Sequence, residues 1–222
     1  MKKKIEKLYI LLTTLILIIT RTSIVYARAG GGGGGGGGHS SSSHLSLVEF
    51  LFIILIGGFI LFLYSIFEKY RIKRSIKIIK KLEESESQCW NISNIYKCIE
   101  YTFYTYQTAW SKRNLEKVEI YLEHKYYEKM TRKIDKMIRG KKVNILEDVK
   151  LNCRNIISVK NSKNKKYIWV KIEGSMIDYI TTEKKINNRK KYMPSSTSFT
   201  ERWKFVYVDQ RWRLSKIKQY HF

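Results

Sequence analysis

An α+β domain placed behind a membrane-spanning helix is the architecture this sequence predicts. Residues 45–67 form a 23-residue apolar run whose one charge is Glu49. From Ile92 to Ile138, apolar and aromatic residues recur every three or four positions, the period of a helix face. Beyond Gly140 the chain turns rich in β-branched and aromatic residues, with turn chemistry between the runs. Helices first and strands afterwards call for two to three helices on one face of an antiparallel sheet of about four strands. At 222 residues the chain holds one such domain plus its anchoring segments.

The first segment, 1–29, has the three-part plan of a secretory signal. Lys2, Lys3, Lys4 and Lys7 precede an apolar stretch from Leu8 to Ile19, and Ala27-Arg28-Ala29 offers small residues to a signal peptidase. The alternative is an uncleaved first membrane helix reaching Tyr26, with Arg21 inside it. Residues 30–44 hold an unbroken run of nine glycines from Gly30 to Gly38, then His39, four serines and His44. Such a segment has no apolar surface to bury and is expected to be flexible.

At about 1.5 Å per residue, a helix over 45–67 crosses a hydrocarbon core of about 30 Å. Segment 68–84 follows with Lys69, Arg71, Lys73, Arg74, Lys77, Lys80 and Lys81, and Ile72, Ile76 and Ile79 at helical spacing among them. The positive-inside rule puts this end in the cytoplasm. Both readings of the N-terminus agree, since each leaves the Gly/Ser segment outside. The same seven residues are candidates for contact with anionic lipid, to which each Lys or Arg contributes about 1 kcal/mol near a charged leaflet; a topology signal alone is the alternative.

The domain is expected over 85–222. Short polar residues from Ser85 to Ser93 suit a linker and an N-cap, after which Ile92, Ile95, Ile99, Phe103, Tyr106 and Trp110 define an amphipathic helix ending near Arg113. A second helical region runs from Leu115 through Tyr126, Met130 and Ile134 to Ile138, closed by Gly140. Strands are expected over 143–159, 167–181, 199–208 and 212–217, with turns at Asn161 to Lys165 and at Asp209-Gln210, and a long loop over 182–196.

A formal charge of +24 favours anionic partners, and basic residues are spread everywhere except the apolar run. Cys89, Cys98 and Cys153 are an odd number with no CxxC pairing, which argues against a disulfide framework and suits a reducing compartment. His39, His44, His124 and His221 have no metal-ligand spacing, so neither a metal nor a cofactor is called for. No P-loop and no Ser/His/Asp arrangement is present, and the one acidic pair, Glu147-Asp148, would point to opposite sheet faces.

The ending FTERWKFVYVDQRWRLSKI, Phe199 to Ile217, resembles the last hairpin of the TIM forty-four-like (Tim44-like) domain: an aromatic, an acid and a Trp precede a strand, a turn and a Trp-x-Leu strand. The order of parts is also similar to that of bacterial membrane proteins of this family, from a signal and a segment beginning ARAGGG to helices and then sheet. The resemblance implies a cone-shaped fold of the nuclear-transport-factor-two-like superfamily, with a curved sheet around a cavity, at a bacterial plasma membrane. It also implies lipid association or protein tethering. The segment with which the mitochondrial relative engages its chaperone has no counterpart here, so motor tethering is not carried over.

Alternation along the third strand places Phe199, Glu201, Trp203, Phe205 and Tyr207 on one face. A carboxylate among aromatics is a perturbed general base, the polar anchor of a pocket, or a structural partner of Arg213 or Lys216 across the hairpin; the last is the expectation. Tyr101, Trp110, Tyr121, Trp169, Glu201, Trp203, Phe205 and Trp212 are the candidates for lining a ligand pocket. The leading function is a binding and tethering module at the cytoplasmic face, recognising anionic lipid or a partner protein and linked to protein transport or membrane-associated assembly. A small-molecule enzyme using Glu201 as base is the alternative. Nucleic-acid binding through the basic surface ranks third and is not expected, because no recognition motif accompanies the charge.

Overall fold

A computed structural model describes residues 47–183 and 194–219. The leader at 1–29, the Gly/Ser segment at 30–44 and most of the loop at 182–196 lie outside the described residues. The chain divides between Phe50 and Leu51; of the first unit only the opening turn of a helix is described, and the fold belongs to the second unit, Leu51–Phe222.

Helix α1, Leu47–Ser85, has 39 residues. Its first part is long and apolar enough to cross a membrane, and none of it is buried in the protein. Its second part is two-faced. Ser75 and Ile79 are buried, and Glu68, Arg71, Ile72, Ile76 and Leu82 are half-buried beside them, a stripe at spacings of three and four. Lys69, Lys73, Arg74, Lys77, Lys80 and Lys81 lie exposed on the remainder of the helix surface. Arg71 is the exception among the seven basic candidates, half-buried with its guanidinium 5.9 Å from the centre of the Phe67 ring.

A short α2, Ser87–Trp90, buries Trp90 edge-on against Trp212, ring centres 5.1 Å apart. Asn91 then caps α3, Ile92–Ser111, its side chain accepting from the Asn94 amide at 2.9 Å. The second helical region is not continuous. It forms a 3-10 turn, Glu116–Tyr121, and then α4, His124–Arg139. Between them Leu122 is extended and bridges in parallel to Leu214, and the Glu123 amide donates to the Leu214 carbonyl at 2.9 Å. Leu122 is buried there. Gly140 is the C-cap of α4 but keeps φ at −80°; the left-handed residue is Lys141, φ 50°.

Four strands follow: β1 Lys142–Ser162, β2 Lys165–Thr182, β3 Thr197–Val208 and β4 Arg211–Gln219. They pair in the order β1-β2-β3-β4, every pair antiparallel, in a sheet not closed into a barrel. At 21 residues β1 is far longer than a typical strand, and its register shifts at three places, each adding local twist. One shift lies between Glu147 and Lys150, where Asp148 has φ 49°, so simple alternation does not govern the Glu147-Asp148 pair.

The inner face of the sheet carries Ile156, Ile168, Val170, Ile172, Trp203, Phe205 and Leu214, all buried, and it receives Ile95, Ile99 and Phe103 of α3. Phe103 and Trp203 have ring centres 5.6 Å apart. Each such side chain contributes roughly 1.5–3 kcal/mol through burial. On β2, Lys171 points to the opposite face from Val170 and Ile172, and Glu68 of α1 reaches it there at 2.7 Å. At the far end of α1, Glu86 pairs with Lys166, and Asn161 donates to the same carboxylate at 3.3 Å.

Candidate functional site

An open cleft of about 590 Å³ lies between α3, α4 and the sheet. Tyr106, Gln107 and Trp110 come from the end of α3, where a spacing of three and four keeps them on one side of the helix. Tyr126 and Met130 of α4 face them, flanked by Lys125, Lys129 and Lys133 at intervals of four. The sheet contributes Asn144 and Leu146 from β1, Met176 and Asp178 from β2, Glu201 from β3, and Lys216, Ile217 and Gln219 from β4.

Two polar groups give the cleft its chemistry. The Tyr106 and Tyr126 hydroxyls lie 3.4 Å apart, and burial raises both phenols, that of Tyr106 to about 12. Glu201 accepts from Trp203 Nε1 at 2.7 Å and from Gln219 Nε2 at 3.3 Å. Trp203 is fully buried, so its N–H requires an acceptor, and Glu201 supplies it. Burial pushes the Glu201 carboxyl above its ordinary value; the hydrogen bonds from Trp203 and Gln219 pull it back, and the negative charge of Asp178 adds to the rise.

Of the eight sequence candidates, Trp110 and Glu201 line this cleft. Trp203 and Phe205 lie in the solid core beneath it. Trp212 packs against Trp90 and Tyr207 and donates to the Cys89 carbonyl at 2.9 Å. Tyr101 is exposed and rests on Tyr121, ring centres 4.9 Å apart, away from the cleft. Trp169 alternates with the buried Ile168 and Val170, so it faces outward, where Lys218 Nζ lies 5.5 Å from its ring. Aromatic character alone did not separate core, surface and cleft.

The expected partners of Glu201 also differ. From the two-residue turn at Asp209-Gln210, with one register shift at Lys204/Phe205, the pairing brings Glu201 opposite Gln219. Arg213 instead pairs with Asp209 at 3.0 Å, and Lys216 stands opposite Lys204. The lysine row of α4 and the meeting of Tyr106 with Tyr126 were missed. The row had a signal, basic residues repeating at four beside the Tyr126-Met130-Ile134 stripe; the tyrosine pair had none, being 20 residues apart. Among the described residues, no group of His, Cys, Asp and Glu is arranged to hold a metal ion.

Residues 96–219 match the family model described as the Tim44-like domain, more than half of the chain, and the chain belongs to that family. Among solved structures it is similar to the intermembrane space region of the chloroplast protein ARC6, with 12% identity and a TM-score of 0.39, over 55% of this chain and 94% of that one. No curated protein matches it.

Proposed function

We propose that this Tim44-like protein is a membrane-anchored binding and tethering module on the cytoplasmic face, held against anionic lipid by α1 and taking a lipid or a partner segment in its cleft. Domains of this family are as a rule binding modules associated with membrane-bound protein transport, and assembly at a membrane is the setting this reading adopts. The observation that carries it is the continuity of α1. One helix contains an apolar span, an exposed stripe of six basic residues and, at Glu68, an ion pair to the sheet. The domain is thereby fixed close to the end of the span, with the stripe free to meet headgroups.

The test is retention of lipid by the full chain extracted in mild detergent. The wild type is expected to retain anionic over neutral lipid, and a Lys73→Glu/Lys77→Glu/Lys80→Glu/Lys81→Glu variant to lose that enrichment. Equal lipid content in the two proteins would overturn the lipid reading. Protease access to the domain from the cytoplasmic side alone tests the orientation.

One observation favours a second reading. Glu201 lines an open cleft, not a filled one, with two tyrosine hydroxyls in the same space, an arrangement open to a general base acting on a small molecule. Release of deuterium from carbon acids by the wild type but not by Glu201→Gln would support it; no release by either protein would sink it.

A further inference from the structure

The cleft is lined by charges of both signs. Lys125, Lys129 and Lys133 line the α4 side, with Glu123 at the helix N-cap, and Asp178 and Glu201 stand on the sheet side, where Lys216 of β4 also lines the cleft. No ion pair within 4.0 Å joins the three α4 lysines to Asp178 or Glu201 among the described residues. What separates them here is a space of about 590 Å³.

We infer that the cleft takes a zwitterionic phospho-amine, its ammonium seated against Glu201 and Asp178 and its phosphate held by the lysine row of α4. This is the chemistry of a phosphoethanolamine headgroup, and the assignment rests on reading the cleft as the module's binding site. Both ends of such a ligand find partners already aimed at the opening. Each Glu201 oxygen accepts one hydrogen bond from the protein, from Trp203 and from Gln219, and retains a lone pair for an N–H donor. Tyr106 and Trp110, stacked at 6.3 Å, present aromatic surface beside it, which an ammonium prefers to an apolar wall. The raised carboxyl of Glu201 fits a group awaiting a counter-ion, since a bound ammonium would reverse the shift.

The position of the cleft favours a headgroup over a soluble metabolite. Glu201 adjoins Arg202, whose register partner is Lys171, and Lys171 is held by Glu68, the first residue beyond the apolar run. Glu201 therefore stands across the sheet from the point where α1 leaves its span.

The experiment titrates the full chain in detergent with short-chain phosphatidylethanolamine, short-chain phosphatidylglycerol and free phosphoethanolamine, reading Trp fluorescence. The two lipids share the phosphate and differ in the amine; the third probe removes the acyl chains. The wild type is expected to prefer phosphatidylethanolamine over phosphatidylglycerol by about tenfold, the worth of one charge-assisted hydrogen-bonded contact. Glu201→Gln should abolish that preference, while Lys125→Gln/Lys129→Gln/Lys133→Gln should weaken both lipids alike. Asp178→Asn, at an exposed position, keeps the test decisive if Glu201→Gln does not fold, and should reduce the preference. Phosphoethanolamine binding as tightly as the lipid would make the source a soluble metabolite and overturn the headgroup assignment. Equal affinity for the two lipids overturns the inference and leaves the binding-module reading standing. No binding by any probe overturns the inference and removes the cleft from that reading.

Discussion

Glu68 Oε1 and Lys171 Nζ lie 2.7 Å apart, and the same ammonium reaches Glu173 at 2.6 Å. The pair joins the helix that carries the apolar span to the second strand of the sheet. Lys171 and Glu68 are only 15% and 22% exposed, so water screens them less than a surface pair. Burial alone would lower the lysine pKa; its hydrogen bonds to Glu173 and Glu68 carry it above the ordinary value. Lys171→Met is expected to cost more than Glu68→Gln, because it leaves two carboxylates without their cation. A double-mutant cycle on urea unfolding of the full chain should give a coupling of about 1 kcal/mol between the two positions. A coupling near zero would mean that α1 is not fastened to the sheet here.

Gly174 sits where β1, β2 and β3 crowd together, opposite Leu151 and Phe199. A Cβ there would fall 2.6 Å from Phe199 Cζ and well inside van der Waals contact with the Lys150 carbonyl oxygen. The ring can turn, but the strand backbone cannot withdraw without losing its pairing. Gly174→Ala is expected to destabilise by about 3 kcal/mol, the upper end of overpacking costs. Thermal unfolding checks it, and an unchanged midpoint would refute the close approach.

The β3–β4 turn places Asp209 and Gln210 at φ 50° and 59°, both left-handed. A two-residue hairpin turn of this kind matches the twist of its strands, but a residue with a Cβ is strained in it. Gln210→Gly should therefore stabilise the protein by about 1 kcal/mol despite the larger freedom of glycine in the unfolded chain. Asp209 is the less attractive position because its carboxylate holds Arg213. A lower denaturation midpoint for Gln210→Gly would contradict the turn geometry.

Glu201 makes stability depend on pH in a definite direction. Burial raises its carboxyl above the ordinary value, so the folded chain holds this proton more tightly than the unfolded chain does. Stability from this group is greatest below the unfolded value, about 4.3, and is lost as pH rises through the higher folded value. Without added lipid, Glu201→Gln is expected to unfold at a higher temperature than the wild type at pH 8 and at the same temperature near pH 4. A variant less stable at pH 8 would show that the two donated hydrogen bonds outweigh burial.

Local periodicity made most of the elements legible in the sequence. The apolar run, the basic stretch after it, the α3 stripe from Ile95 to Tyr106 and all four strands are found where the period of three to four or of two locates them. Each of those signals arises from neighbours along the chain sharing one buried face. The family was legible for a related reason, because the last hairpin concentrates a Trp, an acid, a turn and a Trp-x-Leu strand within a few residues.

What lay beyond local pattern was which elements meet. Leu122 breaks the second helical region because Leu214, far along the chain, draws it into an extended bridge. Glu201 faces Gln219 because a register shift at Lys204/Phe205 moves every later partner by one. Tyr106 meets Tyr126, and Lys129 faces Asp178 and Glu201 across an opening, only after α3, α4 and four strands have packed. By itself the sequence determined the long apolar run, the order of elements and the faces they bury, since these follow from spacing within each segment. Tertiary structure alone decided the ion pair from Glu68 to Lys171 and the two-signed cleft, since both depend on register and bulges that bring distant residues together.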